Sequence, residues 1–193
     1  MTLDAALAGC GAALVVRGDM VTESWVADHR GAALARLPAM AAAVLGGIVP
    51  DAVAVTVGPG SFTGIRAALA LGHGLAIAWG CPVRGATVGE SMRDDAVPGR
   101  SLWVVTDTRR GRVYLERFGP DLPGISLMLD TLPVPDGPVA VAGDAAVAVA
   151  ARLAARDHDV MLLSARRPDP RGITTAARSA WPLYSDPPAA RTP

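Results

Sequence analysis

The stretch "VTVGPGSFTGIRAALALGHGLAIAWG", Val55 to Gly80, decides the reading of this chain. It opens on an apolar, partly β-branched run, Ala52–Val57, that predicts a buried strand. Gly58-Pro59-Gly60 then makes a turn, because the glycines accept positive φ and the proline stiffens the path between them. Ser61 or Thr63 can cap the helix that follows, from about Thr63 to Trp79. Exposed amides at that helix start would favour an anion. The loop is therefore a phosphate cradle, a catalytic turn, or a device that brings a helix close to a neighbour.

Each alternative needs further residues. Gly58-x-Gly60-x-x-x-Gly64 falls just off the dinucleotide fingerprint, and Arg84 stands where an acid would close the next strand. A nucleophile elbow around Ser61 would need glycine where Pro59 and Thr63 are. All eighteen basic residues are arginine. Without lysine there is no Walker-type phosphate loop, Schiff base or pyridoxal chemistry.

The helix is more informative. Gly64, Ala68, Gly72 and Ala76 recur every fourth residue and form a stripe with almost no side chain. Such a stripe admits another backbone at short interaxial distance, with Ala67, Leu71 and Leu75 supplying apolar area beside it. It packs either on its own sheet or on a partner chain, and an all-apolar helix allows both on opposite sides. Arg66, in the first turn, opposes the helix dipole; it pins the loop, meets an acid, or is solvated.

Upstream, Leu3–Ala6, Ala12–Arg17 and Val21–Ala27 read as short strands, with a hairpin signal at Gly18-Asp19. Arg30 to about Leu45 has helical spacing through Leu34, Leu37, Ala41, Val44 and Ile48. Pro38 is expected to kink it and Gly46-Gly47 to end it. A short strand near Val83 follows the long helix. "DAVPGR", Asp95–Arg100, is the best boundary, giving units 1–97 and 98–193. In the second unit Leu102–Thr106 and Arg112–Phe118 are strands around the turn Asp107–Gly111. Val139–Ala142, a helix over Ala145–Arg156 and the strand Val160–Leu163 continue it. The Asp4 strand with its hairpin and the Asp107 strand with its hairpin resemble each other as a weak duplication. "PLYSDPPAARTP" has four prolines in twelve residues and is expected to lie extended on the surface. Strands, helix, strand, helix, strand is the order of the ribonuclease-H-like, actin-like α/β fold, with two similar subdomains and mixed sheets.

Formal net charge is zero, so no global field draws nucleic acid or an anionic membrane. Cys10 and Cys81 sit in apolar settings, consistent with free thiols in a reducing compartment. His29, His73 and His158 stand apart without metal-ligand spacing, so neither metal nor cofactor is expected. The N-terminus lacks a signal-peptide layout, and every long apolar run is broken by glycine. The expectation is a cytoplasmic protein.

"VGPGSFTGIRAALALGHGLA" resembles the signature loop and helix of the TsaB (YeaZ) proteins, bacterial subunits of the machinery that makes threonylcarbamoyladenosine in tRNA. "DTRRGRVY", Asp107–Tyr114, is similar to that family's aspartate-arginine-tyrosine hairpin, through Asp107, Arg109, Arg110 and Tyr114. Gly143-Asp144 and the proline-rich ending resemble it too, so the likeness covers most of the chain in order. The resemblance implies two actin-like subdomains without a catalytic centre, a TsaD-type catalytic partner, and a TsaE-type ATPase in the assembly. It implies a signature loop of Gly58, Pro59, Gly60, Ser61, Phe62, Thr63, Gly64 and Arg66. It also places the partner contact on the two helices, through Leu34, Leu37, Ala41, Gly64, Ala67, Ala68, Leu71, Gly72, Leu75 and Ala76. The chain departs from the pattern at Ala5 and Ala6, where a threonine usually follows the aspartate, and at Ala32 and Leu34, where histidine and glutamate are common.

The leading expectation is a non-catalytic subunit that holds the catalytic one, meets tRNA only through the complex, and forms a homodimer when alone. The alternative is a nucleotide-binding actin-like ATPase or phosphotransferase using Asp4 or Asp107 for a metal. Few aromatics interleave with the arginines, so no stacking platform for RNA is evident; Arg109–Arg112 reads as a solvated turn.

Overall fold

The computed structural model describes residues 1–27, 32–119, 122–175 and 177–185. The chain opens with β1 (Thr2–Asp4), β2 (Gly9–Val16) and β3 (Asp19–Ala27). The β2–β3 loop is Arg17-Gly18, both at positive φ, the two-residue geometry that matches strand twist. Asp19 already belongs to β3, one position beyond the expected turn.

A 3-10 turn at Ala32–Arg36 leads into α1 (Leu37–Leu45). The expected helix start at Arg30 lies outside the described residues. Pro38 sits in the first turn of α1 rather than kinking a longer helix, since its missing N–H is not needed there. Gly46 closes α1 in the left-handed conformation. Ile48, assigned to the helical face by spacing, lies beyond that cap and is exposed. Then come β4 (Val53–Gly58), α2 (Phe62–Trp79) and β5 (Val83–Thr87).

The second round repeats the first. After a 3-10 turn at Glu90–Asp95 come β6 (Ser101–Arg109), β7 (Arg112–Phe118), β8 (Leu122–Met128), β9 (Val139–Ala142), α3 (Ala146–Ala154) and β10 (Val160–Leu162). The first sheet has the order β3-β2-β1-β4-β5 and the second β8-β7-β6-β9-β10. In both, the first three strands of the round pair antiparallel and the last two join in parallel. Even the first hairpins agree, because Arg110-Gly111 repeats the positive-φ loop of Arg17-Gly18. β8 has no counterpart in the sequence reading. Pro123 and Gly124 interrupt it, which only an edge strand tolerates.

One core runs through both sheets. Leu3, Ala12, Val53, Val55 and Val57 meet α1 and α2, and the same cluster extends to Leu102, Val104, Ala140 and Ala142 of the second sheet. The other face of that second sheet packs Val105, Val139 and Val141 on Val149 and Leu153 of α3.

Residues after β10 return to the first sheet. Arg167 pairs in a fork with both carboxylate oxygens of Glu23 and lies 4.7 Å over the Trp25 ring. The short helix α4 (Pro170–Thr175) sets Ile173 against Ala54 and Ala86. Beyond it, Gly85 N–H donates to Arg178 O at 2.7 Å, and Leu183 N–H to Val57 O at 2.8 Å. From 177 to Ser185 the tail forms no helix and bends at Ala180, where Trp181 N–H donates to Ser179 O at 2.9 Å; residues 186–193 lie outside the described part.

Candidate functional site

The loop after β4 gains its shape from the turn after β1. Asp4 accepts Ala6 N–H at 3.0 Å, folding residues 4–6 back toward α2. Ser61 N–H then donates to Ala6 O at 2.6 Å. A Cβ on Gly60 would sit 2.0 Å from Ala6 O, and one on Gly64 2.0 Å from Ala5 O. Ser61 caps the helix, accepting Gly64 N–H on its hydroxyl at 3.1 Å. Two amides that an anion would need are thus already bonded within the chain. The carbonyl oxygens of Ala6 and Ala5 lie against Gly60 and Gly64, and their negative ends disfavour an anion beside them.

The stripe on α2 is sealed as well. Ala68 and Ala76 are buried, and a Cβ on Gly72 would come 2.7 Å from Val55 Cγ2. Of the two packing partners open to Gly64, Ala68, Gly72 and Ala76, the one found is the chain's own β1–β4 face. Leu37 and Ala41 are likewise buried in the core. Of the expected partner residues, only Leu34, Ala67, Leu71 and Leu75 are part-exposed. The outward side of α2 instead carries Ala70, Gly74 and Ala78, a second small-residue row, with nothing within 4 Å of the Gly74 Cβ position. Outward on α1 are Pro38, Ala39, Ala42 and Ala43. The spacing that revealed the inner row also fits the outer one at Ala70, Gly74 and Ala78.

Arg66 joins the first turn of α2 to the tail. Its guanidinium lies 3.8 Å over the Phe62 ring, and its Nε donates to Tyr184 Oη at 3.0 Å. Phe62 and Tyr184 are 5.7 Å apart. The sequence separates Arg66 from Tyr184 by more than a hundred positions, so no local signal joined them.

An open cleft of about 1030 Å³ lies between the subdomains, bounded by the 5–10 turn, the signature loop, Asp107, Thr108, Arg109, Asp144 and Ser185. Asp144 accepts Asp107 N–H at 2.8 Å, and Asp107 accepts Arg109 N–H at 2.7 Å. Burial pushes the Asp144 carboxyl up, opposed by the Asp107 N–H bond. Burial raises Asp4 to about 6. Among the described residues no three histidine, cysteine, aspartate or glutamate side chains gather as a metal group. Arg109 and Arg110 are exposed on the hairpin, while Tyr114 is buried over Gly124.

Across the junction, buried Glu116 on β7 accepts the Thr87 hydroxyl and Gly89 N–H, the latter at 2.8 Å. Glu90 accepts Thr87 N–H and is forked by Arg178. Burial pushes Glu116 up to about 7.

The fold and this cleft define a two-subdomain actin-like α/β protein. A family model described as TsaD, tRNA N6-adenosine threonylcarbamoyltransferase, matches residues 38–119. Uncharacterized proteins Rv3421c of Mycobacterium tuberculosis and Mb3455c of Mycobacterium bovis are 32% identical over 191 residues, covering 93% of this chain and 80% of theirs. YeaZ from Pseudomonas aeruginosa superposes with a TM-score of 0.73 at 21% identity, over 95% of this chain and 97% of that one. EutJ, an ethanolamine utilization protein from Carboxydothermus hydrogenoformans, shares the fold more distantly, with a TM-score of 0.52 at 14% identity over 89% and 87% of the two chains. The chain belongs to the same family as these mycobacterial proteins, and it has the fold of YeaZ.

Proposed function

We propose that this protein is the non-catalytic subunit of a cytoplasmic complex that installs threonylcarbamoyladenosine in tRNA. It binds and steadies a TsaD-type catalytic subunit, and a TsaE-type ATPase joins them. The single observation that carries this reading is the outward side of α1 and α2. Ala39, Ala42, Ala43, Ala70, Gly74 and Ala78 leave two helices bare on one side of the first sheet. A bare helix pair admits another helix at short distance and loses little side-chain entropy on binding. Leu34, Ala67, Leu71 and Leu75 flank it. In the absence of the partner the same surface supports a homodimer.

In this reading the chain divides at about residues 97 and 98, and 163–185 clasps the first unit. The loop from Gly58 to Gly64, with Arg66, sets the pitch of α2 rather than holding a ligand. Asp107, Arg109 and Arg110 line the cleft mouth, where tRNA reaches the chain only through the assembled complex.

The alternative is a nucleotide-binding ATPase or phosphotransferase. The open cleft with Asp107 and Asp144 favours it, and the Ala5 and Ala6 carbonyls oppose it. Reconstitution separates the two. TsaD-type subunit, TsaE-type ATPase, tRNA and the activated donor are combined with and without this protein, alongside a nucleotide titration of the protein alone. Modification that proceeds equally well without it overturns the subunit reading. Magnesium-dependent turnover of ATP by the isolated chain, abolished by Asp107→Asn, establishes the alternative.

A further inference from the structure

At the opposite end of β6 from the cleft, the second sheet holds a pocket of about 370 Å³, lined by neither the signature loop nor Asp107 and Asp144. Its geometry follows from strand register. Trp103 faces Arg117 across β6 and β7, and Arg117 faces Leu122 across β7 and β8, so the three side chains share one side of the sheet. Trp103 is buried, whereas Leu122 and Val134 are exposed at the mouth. Pro135 and Pro138 complete the apolar wall.

Two guanidinium groups reach this pocket, and they differ in what they already hold. Arg100 pairs with Asp159 at 2.8 Å and donates to the carbonyls of Val139 and Asp159. Among the described residues, the buried Arg117 Nε has no hydrogen-bond partner and no carboxylate pairs with the guanidinium. A guanidinium N–H removed from water and left unbonded is costly, so the site favours an acceptor that enters from outside.

We propose that this pocket binds a small monocarboxylate carried on an aromatic or branched aliphatic body. The planar guanidinium edge offers donors spaced for a carboxylate, which a single carbonyl or hydroxyl cannot satisfy as well. The Trp103 indole with Leu122, Val134 and the prolines takes the apolar body. The volume lies at the small end of the range for ligand pockets, which suits a compact molecule. Asp136 on the exposed rim repels a second negative charge, which disfavours phosphate. This inference does not depend on the subunit reading above.

The test uses the full isotope-labelled chain, following the Arg Nε–H and Trp indole resonances during titration with sodium benzoate, benzyl alcohol and inorganic phosphate. Benzoate at millimolar concentration is expected to shift the Arg117 and Trp103 signals together. Benzyl alcohol is expected to bind at least about tenfold more weakly, because it lacks the charge-assisted pair. Arg117→Met is expected to lose the benzoate response, with the Trp103 resonance reporting that the sheet is intact. No shift with benzoate overturns the proposal. So does an equal response to benzyl alcohol or phosphate, or unchanged benzoate binding by R117M.

Discussion

The carbonyl oxygen of Ala6 receives the amide of Ser61 at 2.6 Å, tying the turn after β1 to the start of α2. The contact commits the Ser61 amide, at the start of α2, to the chain's own backbone. The glycines of "GPGSFTG" let a strand turn and a helix start touch, with the Gly60 and Gly64 Cβ positions 2.0 Å from the Ala6 and Ala5 carbonyl oxygens.

Gly60 and Gly64 are therefore expected to tolerate no side chain. A methyl group at either would stand 2.0 Å from a carbonyl oxygen, and Gly60 also holds φ at 152°. Gly60→Ala and Gly64→Ala should each cost about 3 kcal/mol or more in a denaturant titration. Wild-type midpoints for both would refute the close approach.

Gly72 and Gly74, two positions apart on α2, should behave in opposite ways. Gly72→Ala meets Val55 and Val53 and is expected to destabilise the fold, whereas Gly74→Ala meets nothing. The second change replaces a helix-interior glycine and should stabilise by roughly 0.5–1 kcal/mol. Gly74→Arg should keep the fold yet abolish capture of the TsaD-type subunit in a pull-down. Full capture by G74R would remove the outer face of α2 from the interface.

Glu116 gives a pH dependence of defined sign. Its folded value of about 7 lies above the ordinary 4.5, so the folded state holds its proton more tightly than the unfolded chain. Stability from this group is fully present below about 4.5 and declines as pH rises to about 7. The loss is on the order of 3 kcal/mol at most. Glu116→Gln keeps an acceptor for Gly89 N–H and a partner for Thr87, so the difference in stability between variant and wild type should grow across that window. A constant difference from acid to neutral pH would contradict it.

The return of the tail protects the edge of the first sheet. Removing residues from 177 onward should expose Gly85 N–H, which otherwise donates to Arg178 O, and release Val57 O from Leu183. Hydrogen exchange at Gly85 should accelerate toward the unprotected rate while Val55 in the central strand keeps its protection. Arg178→Ala alone should cost less than about 1 kcal/mol, because its pair with Glu90 is partly exposed.

Much of the fold was legible locally. The Arg17-Gly18 and Arg110-Gly111 regions are positions where backbone chemistry leaves few choices, and the strand order followed from them. β8 escaped because Pro123 and Gly124 erase the alternation that marks a strand, and edge position is a property of the whole sheet. The candidate site was legible as a motif and less so as a surface. Leu37 and Ala41 sat at helical spacing but point into the core, and the Arg66–Tyr184 contact joins distant parts of the chain.

The sequence by itself determined the resemblance to the TsaB (YeaZ) proteins, the doubled order of strands and helices, and the absence of lysine, since these rest on residue identity and short-range spacing. Only the tertiary structure decided which side of α2 faces outward. Small residues form two rows on that helix, Gly64-Ala68-Gly72-Ala76 and Ala70-Gly74-Ala78, so spacing alone does not orient it, and the choice fell to the fit of Gly64 and Gly72 against Ala5 and Val55. The placing of Arg117 beside Trp103 was decided the same way, by the register of strands that meet only when the second sheet closes.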